Sequence, residues 1–253
     1  MNVITNNKWI GQRTIRPDGA DKVTGRAAFA ADTTMPGMIW GKVLRSPHPH
    51  ARIISIDTSK AEALPGVKAV VTARDIVNFP IDKPVILGIQ DMRWMCRNVM
   101  AREKALFPGH PVAAVAATSE AIAAKACELI EVNYEVLPWS IEIDDALKPD
   151  APILHEFMKF EGKPSNIAAR IEVKKGDIAQ GFAEAEVVVE RTFTTRTVHQ
   201  GYIEPQACLV GVGADNKTTI WSSSQGQFMV RAMTAYLTGI PQSDIRAIPA
   251  EIG

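Results

Sequence analysis

Residues 111–138 read PVAAVAATSEAIAAKACELIEVNYEVLP, and this stretch decides the fold. Pro111–Ala117 is apolar without alternation, the pattern of a strand covered on both faces. Thr118-Ser119-Glu120 can cap a helix that runs to about Ile130. Its apolar positions, Ile122, Ala126, Leu129 and Ile130, recur at helical spacing. Glu131–Leu137 then alternates as a half-buried strand, and Pro138 ends it. A buried strand, an amphipathic helix and a second strand in immediate succession predict an α+β chain rather than an all-helical or all-β one.

Upstream, Met38–Leu44 and Arg52–Asp57 read as strands. Thr58–Ala63 is a short helix with Thr58 or Ser59 as its cap, Pro65-Gly66 breaks it, and Val67–Thr72 is a third strand. Residues 78–102 look irregular, with a Met-rich stretch expected to fill core or interface. Downstream, 148–166 carries three prolines and no period, which marks a linker. A short helix at Asp177–Ala185 is followed by Glu186–Thr195, EVVVERTFTT, a β-branched strand. Ala207–Val212 and Thr218–Ser223 form a hairpin around Gly213–Asn216, Gln225–Leu237 is a helix, and Asp244–Ile248 begins another strand. The expected layout is an arm over 1–15, a first domain over 16–147, a linker over 148–166 and a second unit over 167–253.

Composition narrows the function. The 253 residues hold 28 Lys+Arg and 28 Asp+Glu, so there is no excess field to draw in phosphates or anionic lipid. Hydrophobic residues at 46% exclude a largely disordered chain. Three scattered cysteines, Cys96, Cys127 and Cys208, with no CxxC pair, argue against a structural zinc site or a chain-borne iron–sulfur cluster. No apolar run approaches the roughly 20 residues of a membrane helix. A soluble, cytoplasmic protein is expected.

No complete active site emerges from spacing. His48 and His50 in SPHPHAR sit two apart across a proline; a turn leaving a strand explains them better than a metal site. His199 with Tyr202 and Glu204 could be an acid/base set or strand-end core residues. Ser222-Ser223-Ser224-Gln225-Gly226-Gln227 lies between a strand and a helix. Backbone N–H groups at such a helix start can hold an anion or oxo group, and Gly226 permits close approach. A Ser-rich helix cap explains the same residues equally well.

Several stretches together resemble the large subunit of the molybdenum hydroxylases, the xanthine dehydrogenase, aldehyde oxidase, carbon monoxide dehydrogenase and 4-hydroxybenzoyl-CoA reductase family. Residues 18–32, DGADKVTGRAAFAAD, resemble its opening. SPHPHARIISI at 46–56, Pro65–Thr72, GHPVAAVAA at 109–117 and LIEVNYEVLP at 129–138 resemble its N-terminal α/β-hammerhead domain. Gly176-Asp177, VVVERTFTT, HQGYIEP at 199–205 and WSSSQGQF at 221–228 resemble the start of its first molybdopterin-binding domain.

The resemblance implies a molybdopterin cofactor, as the cytosine dinucleotide, with iron–sulfur and FAD groups on partner subunits. It implies an oxidoreductase acting on a C–H bond of an aldehyde, purine, N-heterocycle or aromatic acyl-CoA. Gln225 falls where the family places a glutamine that hydrogen-bonds the apical oxo ligand of molybdenum, with Gly226 beside it as a backbone contact. No direct metal ligand is implied, and Tyr202 and Glu204 are expected to be scaffold. The family continues with GGGFGGK, and Gly253 matches that run's first glycine. The base glutamate lies further on, so no catalytic set is complete within this sequence. The expectation is therefore an N-terminal fragment or split half, inactive by itself, whose partners are the rest of the large subunit and the iron–sulfur and FAD subunits. The alternative is a non-catalytic assembly domain of such a complex.

Overall fold

The computed structural model describes residue 8 and residues 10–253, so about half of the arm expected over 1–15 lies outside the described residues. The chain runs through α1 (Gly19–Thr24), β1 (Trp40–Arg45), β2 (Ala51–Asp57), α2 (Ser59–Glu62), β3 (Val67–Thr72) and α3 (Met92–Val99). It continues with β4 (Lys104–Ala105), β5 (Pro111–Ala117), α4 (Glu120–Leu129), β6 (Glu131–Val136), α5 (Ile143–Ala146) and α6 (Ile178–Glu184). Last come β7 (Cys208–Val212), β8 (Thr218–Ser222), α7 (Gln227–Thr238) and β9 (Ile245–Pro249). Two compact units result. One is built from 37–200 with the helix tip Tyr236–Thr238, the other from the described residues up to Pro36 with Gly201–Ala235 and Gly239–Gly253.

In the larger unit, β5 is the central strand of an antiparallel sheet between β1 and β3. Val112, Ala113, Val115 and Ala117 are at most 1% exposed, which is why the strand shows no alternation. Helix α4 starts at Ser119, whose hydroxyl accepts the Ile122 N–H at 3.3 Å. Ala126 and Cys127 on α4, with Ile130 just past its end, join Ala61, Ala113 and Val115 in one buried cluster. Burying each Val or Ile there contributes about 1.5–3 kcal/mol. The turn into β3 needs glycine at 66: its φ is +95°, and a Cβ would meet Ile122 Cδ1 at 2.8 Å. Strand β2 is the centre of a second antiparallel sheet, between β4 and β6.

Three segments of this unit differ from what their sequence predicts. Residues 78–102 are not simply irregular: they contain α3, whose Asp91 carboxylate accepts the Arg93 N–H at 2.9 Å as an N-cap. Met92 and Cys96, four apart on one face, are fully buried. The stretch expected as a linker, 148–166, is tied down. The Asn166 amide donates to Ala146 O (3.0 Å) and Pro152 O (3.1 Å) and accepts the Leu154 N–H (3.2 Å). The open segment lies further on. Residues 169–200 are exposed throughout, and the strand expected at 186–195 is not formed. Val187, Val189 and Phe193 are 78%, 72% and 88% exposed. A β-branched run becomes sheet only when a neighbouring strand satisfies its backbone, and none of the described strands pairs with it.

In the smaller unit, β7 and β8 form the expected antiparallel hairpin, turned at Gly213–Lys217 with Asn216 at φ 61°. Strand β9 pairs with β8 in parallel, and α7 is the crossover between them, a βαβ arrangement. Gly239 ends α7 at φ 76°. The segment that precedes β1 clusters with these strands rather than with the hammerhead residues, unlike the sequential division expected at 16–147.

Candidate functional site

In a βαβ unit, ligands gather beyond the carboxyl ends of the strands, where the crossover helix begins. Here that place is set by Ser222 at the end of β8 and its register partner Pro249 at the end of β9. The turn Ser223–Gly226 leaves β8 and opens α7, which has no side-chain cap at its N-terminus. The first-turn amides of α7 thus carry the helix's partial positive charge with no side chain over them. Gln225 is exposed at the tip of this turn, and its amide makes no hydrogen bond among the described residues.

Gly226 differs from the expectation of an open backbone contact. Its N–H is already given to Ser224 Oγ at 3.0 Å, so it is not a free donor. A Cβ there would meet nothing nearer than Met229 Cβ at 3.7 Å. Nothing inside the chain requires glycine at 226; what the residue offers is room.

The carboxyl end of β9 is held by residues remote in sequence. Ala250 N–H donates to Ser222 O at 3.1 Å and Glu251 N–H to Ala28 O at 3.4 Å. Lys22, on α1, reaches Glu251 Oε2 at 3.0 Å and also donates to Ile252 O. Glu204 is 8% exposed, and its carboxylate accepts the Gly253 N–H at 3.1 Å. A Cβ on Gly253 would lie 2.5 Å from Glu204 Cβ, so only glycine fits against it. Ser223 Oγ accepts the Ala207 N–H at 3.0 Å and lies 3.0 Å from Pro205 O, tying the HQGYIEP tail to the end of β8. The structure thereby brings together Glu204, Ser222–Gly226 and Ala250–Gly253. Sequence reasoning missed Lys22 and Glu251 because only tertiary folding joins them.

Ser222 Oγ is buried without a protein partner. His48, His50 and His110 are structural. His50 is 4% exposed and donates from Nδ1 to Pro138 O at 2.7 Å, while His48 packs edge-on against Tyr134. His110 is fully buried; Nε2 donates to Asn98 O, Nδ1 accepts the Leu106 N–H, and burial lowers its pKa. No cluster of three His, Cys, Asp or Glu side chains suited to a metal ion exists among the described residues.

Two family descriptions match. Residues 24–138 match the a/b hammerhead domain of aldehyde oxidase and xanthine dehydrogenase, and residues 159–253 match the molybdopterin cofactor-binding domain. The chain belongs to this molybdenum-hydroxylase family, as part of its large subunit. It is 38% identical over 240 residues to the carbon monoxide dehydrogenase large chain of Afipia carboxidovorans, covering 90% of this chain and 29% of that one. It is 35% identical to a subunit of a probable xanthine dehydrogenase of Bacillus subtilis, covering 94% of this chain and 30% of the relative. The crystal structure of a Cu,Mo-CO dehydrogenase, carbon monoxide reduced, superposes with a TM-score of 0.74 at 34% identity, over 96% of this chain and 31% of that one. The chain therefore spans about 30% of the length of these relatives.

The residues at the carboxyl ends of β8 and β9 fit a molybdopterin-type group. An uncapped helix start, an uncommitted amide at Gln225 and the orphaned Ser222 hydroxyl are neutral hydrogen-bonding groups. None adds charge beside a cofactor that is itself charged. Among the described residues, no helix is long and apolar enough to cross a membrane.

Proposed function

We propose that this chain serves as the N-terminal portion of the large subunit of a molybdenum hydroxylase, working in the cytoplasm. In the complete assembly the cofactor would be molybdopterin, as the cytosine dinucleotide. Iron–sulfur and FAD subunits and the rest of the large subunit would be its partners. The substrate class is an aldehyde, purine, N-heterocycle or aromatic acyl-CoA. The observation that carries this reading is the convergence of the Gln225 turn with Ala250–Gly253 beyond the parallel strands β8 and β9. When bound, molybdopterin would supply two-electron redox chemistry at a C–H bond, with oxygen drawn from water.

The chain's own residues orient and shield. Gln225 would donate from its side-chain amide to the cofactor, and Gly226 would let the group approach the turn. Glu204 and Lys22 would fix the strand end that the rest of the subunit continues. In chain order we propose a hammerhead domain over 37–147, an ordered connection over 148–166 and the opening of the molybdopterin domain over 167–253, to which residues 16–36 also contribute.

Affinity isolation of the tagged chain from its own cells tests this. Co-elution with the remaining subunit sequence, FAD absorbance and iron is expected. In that complex Gln225→Ala should leave assembly and molybdenum content in place while lowering turnover about 10–100-fold. A chain isolated alone from cells expressing the partners, or a complex whose turnover ignores Gln225, would contradict the reading.

A further inference from the structure

We propose that a cavity in the 37–200 unit, beside His155, binds a small monocarboxylate with an apolar body, of about benzoate size. The proposal stands apart from the function above. The site draws on 139–158, which lies between the two stretches that the family descriptions match. The cavity measures about 420 Å³; Leu106, Leu137, Leu154 and Phe157 form its apolar wall, and Lys104 and His155 share the polar side with His50, Arg52, Arg97, Glu103 and Glu156. Arg52 is paired with Glu135 and Arg97 with Glu103, so cations outnumber the carboxylates that face the cavity. A second space of about 230 Å³ shares His155 and Leu154 with it. Volumes of this size, with an apolar wall facing convergent polar groups, are those of small-ligand sites.

The polar groups define the ligand. The Lys104 side chain is 15% exposed, and its ammonium donates to Leu154 O at 3.1 Å and Glu156 Oε1 at 2.6 Å. One of its three protons is left over. Glu156 is 66% exposed on its side chain, so a ligand carboxylate displaces it at little cost. The His155 ring packs against Trp94 (6.4 Å) and Phe157 (5.7 Å) and makes no hydrogen bond among the described residues. Burial first, then Lys104, lowers its pKa to about 4, so at neutral pH it is uncharged and offers one N–H. An ammonium and an imidazole N–H match the two oxygens of a single carboxylate. The apolar walls take its body, and the cations Lys104 and Arg97 exclude an amine.

The titratable and charged groups acting on the His155 ring are Lys104, Glu156, His110 and Arg97, and His50, Arg52 and Glu103 line the same cavity. A bound anion adds an attraction for the imidazolium, so it raises the pKa of His155 above its free value of about 4, and binding tightens as pH falls through that raised value. Titration of the 253-residue chain with benzoate, benzamide and benzyl alcohol, read on the imidazole signals by NMR, tests this. Benzoate should move the His155 signals, raise the His155 pKa and bind at least about tenfold tighter than benzamide. Lys104→Met should remove most of that preference. Equal binding of benzoate and benzamide, benzoate binding that leaves His155 unmoved, or no benzoate binding at millimolar concentration would overturn the proposal; the ligand series keeps the test valid if Lys104→Met unfolds the chain.

Discussion

Glu204 is a buried carboxylate whose acceptor role is specific: it holds the Gly253 N–H at a position where no side chain fits. Gly253 itself is exposed, so on removing the carboxylate water can take over the amide and the loss is that of one net hydrogen bond, about 0.5–1.5 kcal/mol. Glu204→Ala should therefore lower the stability of the β7–β9 unit by that amount and speed amide exchange at Gly253, while Glu204→Gln, which keeps an oxygen acceptor, should cost less. Equal exchange in all three proteins would show that the contact holds nothing. Part of this neighbourhood was legible in the sequence. The turn residues Ser222–Gln227 stand out between a strand and a helix, and Glu204 reads as scaffold beside them. The Lys22–Glu251 pair was not legible, because no local rule links residues more than two hundred positions apart. The engagement of the Gly226 N–H by Ser224 was also hidden, since it depends on a side-chain rotamer at the turn.

Among the elements, β3 and β5 keep the bounds that their residue patterns give, and α4 differs only at its ends. Each is set by local signals: a covered apolar run, a serine cap, a break at Pro65-Gly66. Helix α3 escaped because eight residues between irregular segments are too few to show a clear 3.6-residue period. The signal was nevertheless present in Asp91 as cap and in Met92 and Cys96 at i, i+4. Since Met92 is fully buried, Met92→Ala should destabilise the larger unit by about 2–5 kcal/mol in denaturant unfolding; a change under 1 kcal/mol would place α3 outside the core. The opposite error concerns 186–195. Its β-branched pattern says what it can pair as, not that a partner strand is present. Exposed, unpaired backbone is what proteases select. Trypsin should cut first between 169 and 200, where Arg170, Lys174, Lys175, Arg191 and Arg196 lie, and not in 148–166, which Asn166 and Lys104 hold. A first cut at Lys159 would show that the Asn166 contacts do not hold.

At the scale of the whole molecule, balanced charge leaves burial of neutral histidines as a main source of pH dependence between neutrality and acid. His110 and His155 both have depressed pKa values through burial, His155 at about 4. An unfolded imidazole titrates near 6.5, so below that pH the unfolded chain takes up protons that the folded chain refuses. Their contribution to stability is therefore complete above about pH 6.5 and is lost as pH falls towards 4. Unfolding free energy should fall across that window by about 1–2 kcal/mol, and the thermal midpoint with it. His155→Phe should flatten the decline, and an unchanged slope in that variant would remove His155 from the account.

The central claim is that this chain supplies one wall of a molybdopterin site whose other contacts lie in the remainder of the family's large subunit. Molybdenum content per chain measures that directly, by elemental analysis after gel filtration, with the chain expressed alone and then together with the complementary portion of the large subunit in cells that make the cofactor. The account predicts far less than one molybdenum for the chain alone and close to one for the joined halves. One molybdenum retained by the chain alone, or none retained by an assembled pair, would contradict it.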